Sequence, residues 1–364
     1  MSLSSTGRAG ITIPFEGIPL HAHREWYGRL RELGYTDLWS AEVDGADGFT
    51  PLTLAAAWEP SLHLGVAITP VYTRGPALLA QSLAALADAA PGRVACGLGA
   101  SSEVIVANWN GLAFEEQFKR VRDTVRFLRL AFSGEKITAD FGTFSVKGFK
   151  LSRIPEQLPP IYLAALRPGM LHLAGREADG AILNWLSADD VRTSVAEVER
   201  AAAGAPREIV ARIFVIVCED ADLARTIGRR MITAYLNVEA YAEFHRWLGR
   251  GPALQGMWDA WAAGDRKGAL AAIPDEVVDQ LVVLPIQPNS GVFVLPTTTQ
   301  PAARSRATKG LSAVAGGSSA WSADPCVVTY PIASCRSLTP IGMPARGPGS
   351  CPVAIRTSRA SASL

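Results

Sequence analysis

The sequence predicts an α/β protein organised as a (β/α)8 TIM-barrel, and three observations support that prediction. Short apolar runs alternate with amphipathic stretches seven times between residues 11 and 236. Prolines or polar caps stand where the helices would open. The strands are short, and seven βα units of this kind favour a closed parallel barrel over an open doubly wound sheet.

The elements follow in order. Ile11 to Phe15 is the first apolar run; Trp26, Leu30 and Leu33 then recur at i, i+4, i+7 before Gly34, where a helix C-terminus favours glycine. Tyr35 to Ala41 is the second strand, and the helix from Leu52 to Trp58 is opened by Thr50-Pro51, proline suiting a first turn. Leu62 to Thr69 is the third strand, followed by a helix opened by Pro76 with Leu79, Leu83 and Leu86 on one face. Arg93 to Leu98 is the fourth, and its helix aligns Phe118, Val121, Val125 and Leu128 opposite a face of Lys and Arg. Residues 133–158 break the rhythm: Phe141, Phe144, Val146 and Phe149 among glycines predict an inserted hairpin. Alternation resumes with Ile161 to Ala165, a helix over Pro168 to Arg176, and the strand Gly180 to Asn184. Ser187 and Asp190 have capping-box spacing for the next helix, which turns Val191, Val195 and Val198 inward. Glu208 to Cys218 is strand seven, and helices from Ala221 to Leu236 and through Trp258, Trp261 and Val278 follow.

The chain changes character after Val283. Residues 1–283 hold 28 basic and 33 acidic residues and residues 284–364 hold 7 and 1, so the overall +1 conceals −5 and +6. Ten of the 24 prolines, with Cys326, Cys335 and Cys351, lie in the second stretch, which shows no sustained period of 2 or 3.6. Residues 1–283 are therefore expected to form the barrel and 284–364 a low-complexity, disordered tail. The tail's single acid and abrupt onset resemble the out-of-frame translation of a high-GC gene. On this reading the eighth βα unit is missing or replaced, and strands one and seven lack a partner.

Charge near zero gives no electrostatic footprint for nucleic acid or an acidic membrane surface. No stretch reaches the roughly 18 to 20 apolar residues a membrane span needs, and Met1 to Gly10 lacks a signal-peptide core. A cytoplasmic protein with a small-molecule substrate is the expectation. Trp247, Trp258 and Trp261 suit either the core or a homodimer contact, with the core the expected use.

No zinc-protease pair, nucleophile elbow, phosphate loop or paired CxxC occurs. Gly97-Leu98-Gly99 follows a strand, but Ser102 replaces the third glycine of a dinucleotide fingerprint. The small residues Gly99, Ala100, Ser101 and Ser102 mark either a close backbone approach to a ligand or a tight turn. His21 and His23 suit surface or capping roles, His63, His172 and His245 structural ones, and Cys96 and Cys218 buried apolar positions; no metal site is expected. Barrel chemistry lies at the C-terminal ends of the strands. That rule selects Ser40, Glu42 and Asp44 after strand two, Thr69, Tyr72, Thr73 and Arg74 after strand three, Ser101 and Ser102 after strand four, and Asn184 and Trp185 after strand six. Leu166-Arg167-Pro168-Gly169-Met170 opens a helix with free N–H groups beside a cation, which suits a phosphate. Each alone can be a helix cap or rim salt bridge; their convergence at one mouth favours a site.

Several runs together carry a family likeness: Leu38-Trp39-Ser40-Ala41-Glu42, Thr69-Pro70 to Arg74, Pro76-Ala77-Leu78-Leu79-Ala80-Gln81, Pro91-Gly92-Arg93 to Gly97-Leu98-Gly99, and Ala174-Gly175-Arg176-Glu177-Ala178-Asp179-Gly180. Over residues 10 to 283 the chain resembles the bacterial luciferase-like monooxygenase superfamily, and within it the actinobacterial class using coenzyme F420, a deazaflavin. FMN-dependent relatives share much of the pattern, so FMN is the alternative cofactor. The resemblance implies a barrel with an insertion and hydride transfer at the deazaflavin C5 to or from an organic substrate. It implies a non-proline cis peptide at Ala67-Ile68 or the adjacent bond backing the ring, and the ring itself near Gly99 to Ser102. The cofactor's phosphate would lie near Leu166 to Met170. Ala67, Ile68, Thr69, Arg74, Gly99, Ala100, Ser101, Ser102, Ala165, Leu166, Arg167, Gly169, Met170 and Asn184 make up the implied cofactor-binding set. Where some F420 enzymes have Asp-His after strand two, this chain has Glu42-Val43, so an acid/base role falls to Glu42 or Asp44. The expected function is an F420-dependent oxidoreductase; the alternatives are an FMN-dependent monooxygenase and a defective product with an incomplete barrel.

Overall fold

The computed structural model describes residues 8–218 and 220–283, together with the strand at 326–332. The first half comprises β1 (Ala9–Thr12), α1 (Arg24–Glu32), β2 (Asp37–Ser40), α2 (Thr50–Trp58), β3 (His63–Pro70), α3 (Pro76–Ala89), β4 (Val94–Gly99), a π-helical turn (Val104–Trp109) and α4 (Gln117–Ala131). An antiparallel hairpin follows, β5 (Ile137–Asp140) and β6 (Ser145–Phe149). Then come β7 (Ile161–Ala164), α5 (Pro168–Glu177), β8 (Gly180–Asn184), α6 (Ala188–Ala202), β9 (Glu208–Ile216) and α7 (Ala221–Leu236). The last elements are α8 (Glu239–Trp247), α9 (Gly251–Ala262), α10 (Arg266–Ala271), α11 (Asp275–Leu281), β10 (Val282–Val283) and β11 (Cys326–Ile332). No helix among the described residues is long and apolar enough to cross a membrane.

Parallel pairing runs β1–β2–β3–β4–β7–β8–β9–β11 and returns to β1, so eight strands close a ring. β11 pairs with β9 from Cys326 opposite Val210 to Ile332 opposite Ile216, and with β1 from Val327 opposite Ala9 to Thr329 opposite Ile11. The expectation that strands one and seven would lack a partner is thereby corrected. Val327, Val328, Thr329 and Tyr330 are good strand formers, but Pro331 and a flanking sequence without period masked them. The disorder and out-of-frame origin expected for the rest of 284–364 lie outside the described residues.

The lumen is filled from five strands by Trp39, Ala95, Tyr162, Ile182 and Val210. Glycines make room for the indole: a Cβ on Gly65 would lie 2.3 Å from Trp39 Cζ3 and one on Gly10 2.7 Å from Cδ1. Outside the ring, Leu30, Leu52, Leu83, Val125, Leu171 and Val198 bury the helix faces, as amphipathic periodicity requires. Ser187 and Asp190 form the capping box of α6. Phe118 departs from its expected face and is 40% exposed; it lies in the first turn of α4, at the rim of the ring, whereas Val121, Val125 and Leu128 are buried.

The insertion is anchored to α4. Asp123, 1% exposed, accepts hydrogen bonds from the Thr143 N–H at 3.1 Å and hydroxyl at 2.9 Å, and Phe127 lies 5.7 to 6.0 Å from the rings of Phe141, Phe144 and Phe149. A second apolar cluster joins α7–α11 to Trp185, Phe214 and Ile216. Trp258 belongs to it, and Trp247 and Trp261 pack against core clusters. Cys96 is a free buried thiol; Cys218 is buried in the second apolar cluster as expected and is in addition disulfide-bonded.

Two histidines are fully buried. His23, expected in a surface or capping role, occupies the N-cap position of α1 but is buried, and its ring makes no cap bond: Nε2 accepts the Phe15 N–H at 2.8 Å and the ring stacks on Phe15. His245 in α8 is 0% exposed, and burial, reinforced by Arg250, pushes its pKa down to about 4. Burial also lowers His23, against the hydrogen bonding of the Pro19 and Leu20 backbone.

Two predictions follow from this packing. Ending the chain at Val283 removes β11 from β9 and β1, and the expected outcome is loss of cooperative thermal unfolding by circular dichroism; a transition as sharp as that of the full chain would refute it. The unfolded chain protonates His245 near its ordinary 6.5 while the folded chain resists until about 4. Stability present above pH 6.5 is therefore lost as pH falls, by about 3 kcal/mol from His245 by pH 4. The urea midpoint should fall as pH is lowered across this range, and His245→Gln should flatten the dependence.

Candidate active site at the barrel mouth

The C-terminal ends of β3, β4 and β7 form a shelf of small and aliphatic residues. β3 shifts register against β4 between Val66 and Thr69, and the Ala67–Ile68 peptide is cis, at the first of the two positions the resemblance implied. Ile68 carbonyl accepts the Glu42 N–H at 3.2 Å, joining this segment to the loop after β2. A Cβ on Gly99 would meet Ile68 Cδ1 at 3.0 Å and Ala164 Cβ at 3.1 Å, so these three residues share one surface. Thr69, next in the chain and paired in register with Leu98 of the outer core, is 0% exposed, and its hydroxyl has no hydrogen-bond partner among the described residues. Gly99 carbonyl accepts the Val71 N–H at 3.0 Å, Ala100 packs on the core, and Ser101, at φ +70°, turns the chain toward the π-helical turn. Ser102 Oγ accepts the Ile105 N–H at 3.4 Å.

The rim after β2 is organised by Glu42 and Arg74. Glu42 Oε1 accepts from Gly48 N–H at 3.1 Å, from Arg74 Nε at 2.8 Å and from an Arg74 terminal nitrogen at 2.7 Å. The guanidinium lies 4.6 Å from the Phe49 ring centroid and 3.4 Å from Asp47. Ser40 donates to Gly48 carbonyl at 2.5 Å, holding the loop down. The structure thus brings Glu42 and Arg74 together; Asp44 stands exposed, outside this network.

The loop after β7 leads into α5, whose first turn has Arg167 as N-cap without a side-chain cap and Pro168 at its start. The N–H groups of Gly169 and Met170 therefore point out of the first turn, as at every helix N-terminus. Arg167 sits 3.6 Å from Glu243 of α8, Leu166 and Met170 pack on the core, and the Ala165 N–H bonds Ile182 carbonyl at 3.1 Å. From β8, Asn184 Nδ2 donates to the Tyr241 hydroxyl of α8 at 2.8 Å, while Oδ1 is buried with no partner among the described residues. Trp185, at φ +57°, is fully buried and stacks on Phe214 at 3.9 Å. Arg212 of β9 lies opposite Asn184 in register, with its guanidinium 5.1 Å from the Phe214 centroid.

Sequence reasoning missed Arg212 and Tyr241. The signal for Arg212 was present: one cation in a strand that is otherwise apolar from Ile209 onward, in phase with Val210. Tyr241 gave none, because α8 reaches the mouth only through tertiary packing. A cleft of about 360 Å³ lined by Arg8, Arg31, Thr36 and His63, among others, opens beside the N-terminal ends of β2 and β3, away from these groups. Barrel geometry makes the opposite end the seat of chemistry.

The sequence profile of the luciferase-like monooxygenase family matches residues 2–288. Two proteins named 5,10-methylenetetrahydromethanopterin reductase, from Methanolobus tindarius and Archaeoglobus fulgidus, are 28% identical over 218 residues and 27% over 266. These alignments cover 58% and 70% of this chain and 65% and 80% of the relatives. An F420-dependent glucose-6-phosphate dehydrogenase from Mycobacterium avium is 34% identical over 126 residues, 33% of this chain and 38% of that protein. The chain thus spans less than two thirds of the Methanolobus and Mycobacterium proteins it matches. Among solved structures, coenzyme F420-dependent tetrahydromethanopterin reductase from Methanopyrus kandleri aligns with a TM-score of 0.61 at 18% identity, covering 76% of this chain and 86% of that one. An F420-dependent secondary alcohol dehydrogenase with an F420-acetone adduct gives 0.60 at 16%, covering 77% and 86%. At such identities the likeness is one of fold. The family profile, extending over more than half of the chain and across β1 to β10 with the inserted hairpin, places this protein in the luciferase-like monooxygenase family.

Proposed function

We propose that the protein is an oxidoreductase transferring a hydride between coenzyme F420 and a small organic substrate at the barrel mouth. The observation behind this reading is the shelf of Ile68, Gly99 and Ala164, a surface that a single Cβ at Gly99 would obstruct, beside the cis Ala67–Ile68 peptide. Those features fit a flat, polar-edged ring system, and the F420-dependent relatives and structural neighbours support the deazaflavin. When bound, the deazaflavin supplies the hydride carrier.

The chain's own residues bind, orient and move protons. Ala67, Ile68 and Thr69 back the ring, with the backbone from Gly99 through Ala100 and Ser101 to Ser102 along its edge. Ala165, Leu166, Arg167, Gly169 and Met170 hold the phosphate, because two outward N–H groups and a cation meet at the start of α5. Asn184 closes the far side. Arg74 fixes Glu42 through Oε1, which leaves Oε2 to exchange a proton with a substrate oxygen; Asp44 is the second carboxylate of the rim. Tyr241 and α8 cover the ends of β7 and β8 and limit water.

F420 and FMN should be titrated separately into the full-length chain, following fluorescence. Saturable binding of F420 and not of FMN is expected; FMN binding alone would replace the cofactor, and binding of neither would refute the reading. Gly99→Val should weaken F420 binding at least tenfold, about 1.4 kcal/mol, with cooperative unfolding retained. With a substrate that turns over, Glu42→Gln should lower kcat about 100-fold and leave the F420 Kd unchanged, the range expected for loss of a general acid/base.

A further inference from the structure

We propose that Arg212 binds a carboxylate on the substrate while Asn184 Oδ1 accepts a hydrogen bond from its neighbouring hydroxyl, so that the substrate class is the small hydroxylated carboxylic acids. The inference rests on the hydride-transfer reading above and adds a substrate chemistry to it.

Strand phase sets the placement. Ile182 and Val210 are register partners on β8 and β9, and both belong to the cluster filling the lumen. Side chains two residues on point the same way, so Asn184 and Arg212 stand side by side one layer nearer the mouth. In the ring order β9 is four strands from β3, so Arg212 faces the Ile68–Thr69 side of the shelf across the lumen. A molecule lying on that shelf has Asn184 beside its Ala164 edge and Arg212 across from Ile68.

The two groups are held in place. Phe214 lies under the guanidinium at 5.1 Å and is itself stacked on the fully buried Trp185 at 3.9 Å, which restricts Arg212 to a narrow set of orientations. Asn184 is fixed through Nδ2 by the half-buried Tyr241, whose hydroxyl accepts at 2.8 Å. That bond uses the amide's donor end and turns Oδ1, buried and without a partner among the described residues, into an acceptor for a ligand donor.

The chemistry that matches is specific. A guanidinium offers two parallel N–H donors and takes a carboxylate bidentately, which an ammonium cannot reproduce. An amide oxygen on the adjacent strand, about 4.8 Å away in backbone spacing, asks for an O–H or N–H donor close to that carboxylate. A hydroxyl one or two carbons from the carboxylate meets both requirements.

The test uses lactate, lactamide and propionate as probes of the full-length protein by isothermal titration calorimetry, with and without F420. Lactate should bind at least tenfold tighter than lactamide, which lacks the charge, and tighter than propionate, which lacks the hydroxyl. Arg212→Gln should abolish the preference over lactamide and leave F420 binding unchanged; Asn184→Ala should abolish the preference over propionate. If Arg212→Gln loses cooperative unfolding, Arg212→Lys decides: a preference reduced several-fold supports the proposal, and an unchanged one overturns it. Equal binding of lactate and lactamide, binding of neither, or a preference that survives Arg212→Gln also overturns it. A lactate preference that depends on Arg212 in a protein that binds no F420 would sustain the acid site and refute the cofactor reading instead.

Discussion

The packing of Trp39 inside the ring is the constraint on which the other features depend. An indole in the lumen of an eight-stranded barrel occupies space that neighbouring strands normally fill, and here Gly10 and Gly65 yield it. Interiors are close-packed, so large residues on one strand must be matched by small ones on its neighbours. With Trp39, Tyr162, Ile182 and Val210 filling this level, the lumen below the mouth is solid. A ligand can then enter only from the C-terminal end, onto a floor whose height is set by these side chains.

Closure of the ring determines what faces what. Because β9 lies four strands from β3 and β8 lies next to β7, Arg212 stands across the ring from Ile68 and Asn184 borders the Ala164 edge of the shelf. The mouth is therefore polar on one side and apolar on the other, an arrangement suited to a flat ring system with a reacting partner laid against it. The helices after β9 complete the enclosure: Tyr241 reaches Asn184, and Glu243 reaches Arg167. Electrostatics at the rim follow the same economy of pairing, with Glu42 and Arg74 held together across the loops after β2 and β3.

Much of this was legible from local pattern. The alternation of apolar runs and amphipathic helices, the Pro76 and Pro168 helix starts, and the Ser187–Asp190 capping box depend on residues within a few positions of one another, and each appears in the structure. The pairing of Glu42 with Arg74 was half legible: both were assigned to the mouth, but their contact joins loops 32 residues apart. β11 was not legible, since its strand formers Val327 to Tyr330 precede Pro331 in surroundings that lack any period, and only partners on β1 and β9 make a strand of the segment. Phe118 and His23 failed for the complementary reason: helical phase and local polarity do not reveal where the barrel rim ends or which loop folds over a side chain.

The sequence by itself determined the order of elements and the barrel class, because these are properties of periodicity and of residues adjacent in the chain. Tertiary structure alone decided that the ring closes through Cys326–Ile332, that α8 reaches the mouth, and that Arg212 stands beside Asn184 and across the ring from Ile68. Those outcomes depend on register and crossing between segments distant in sequence. Such contacts form only when burial of the lumen offsets the entropy of bringing the segments together.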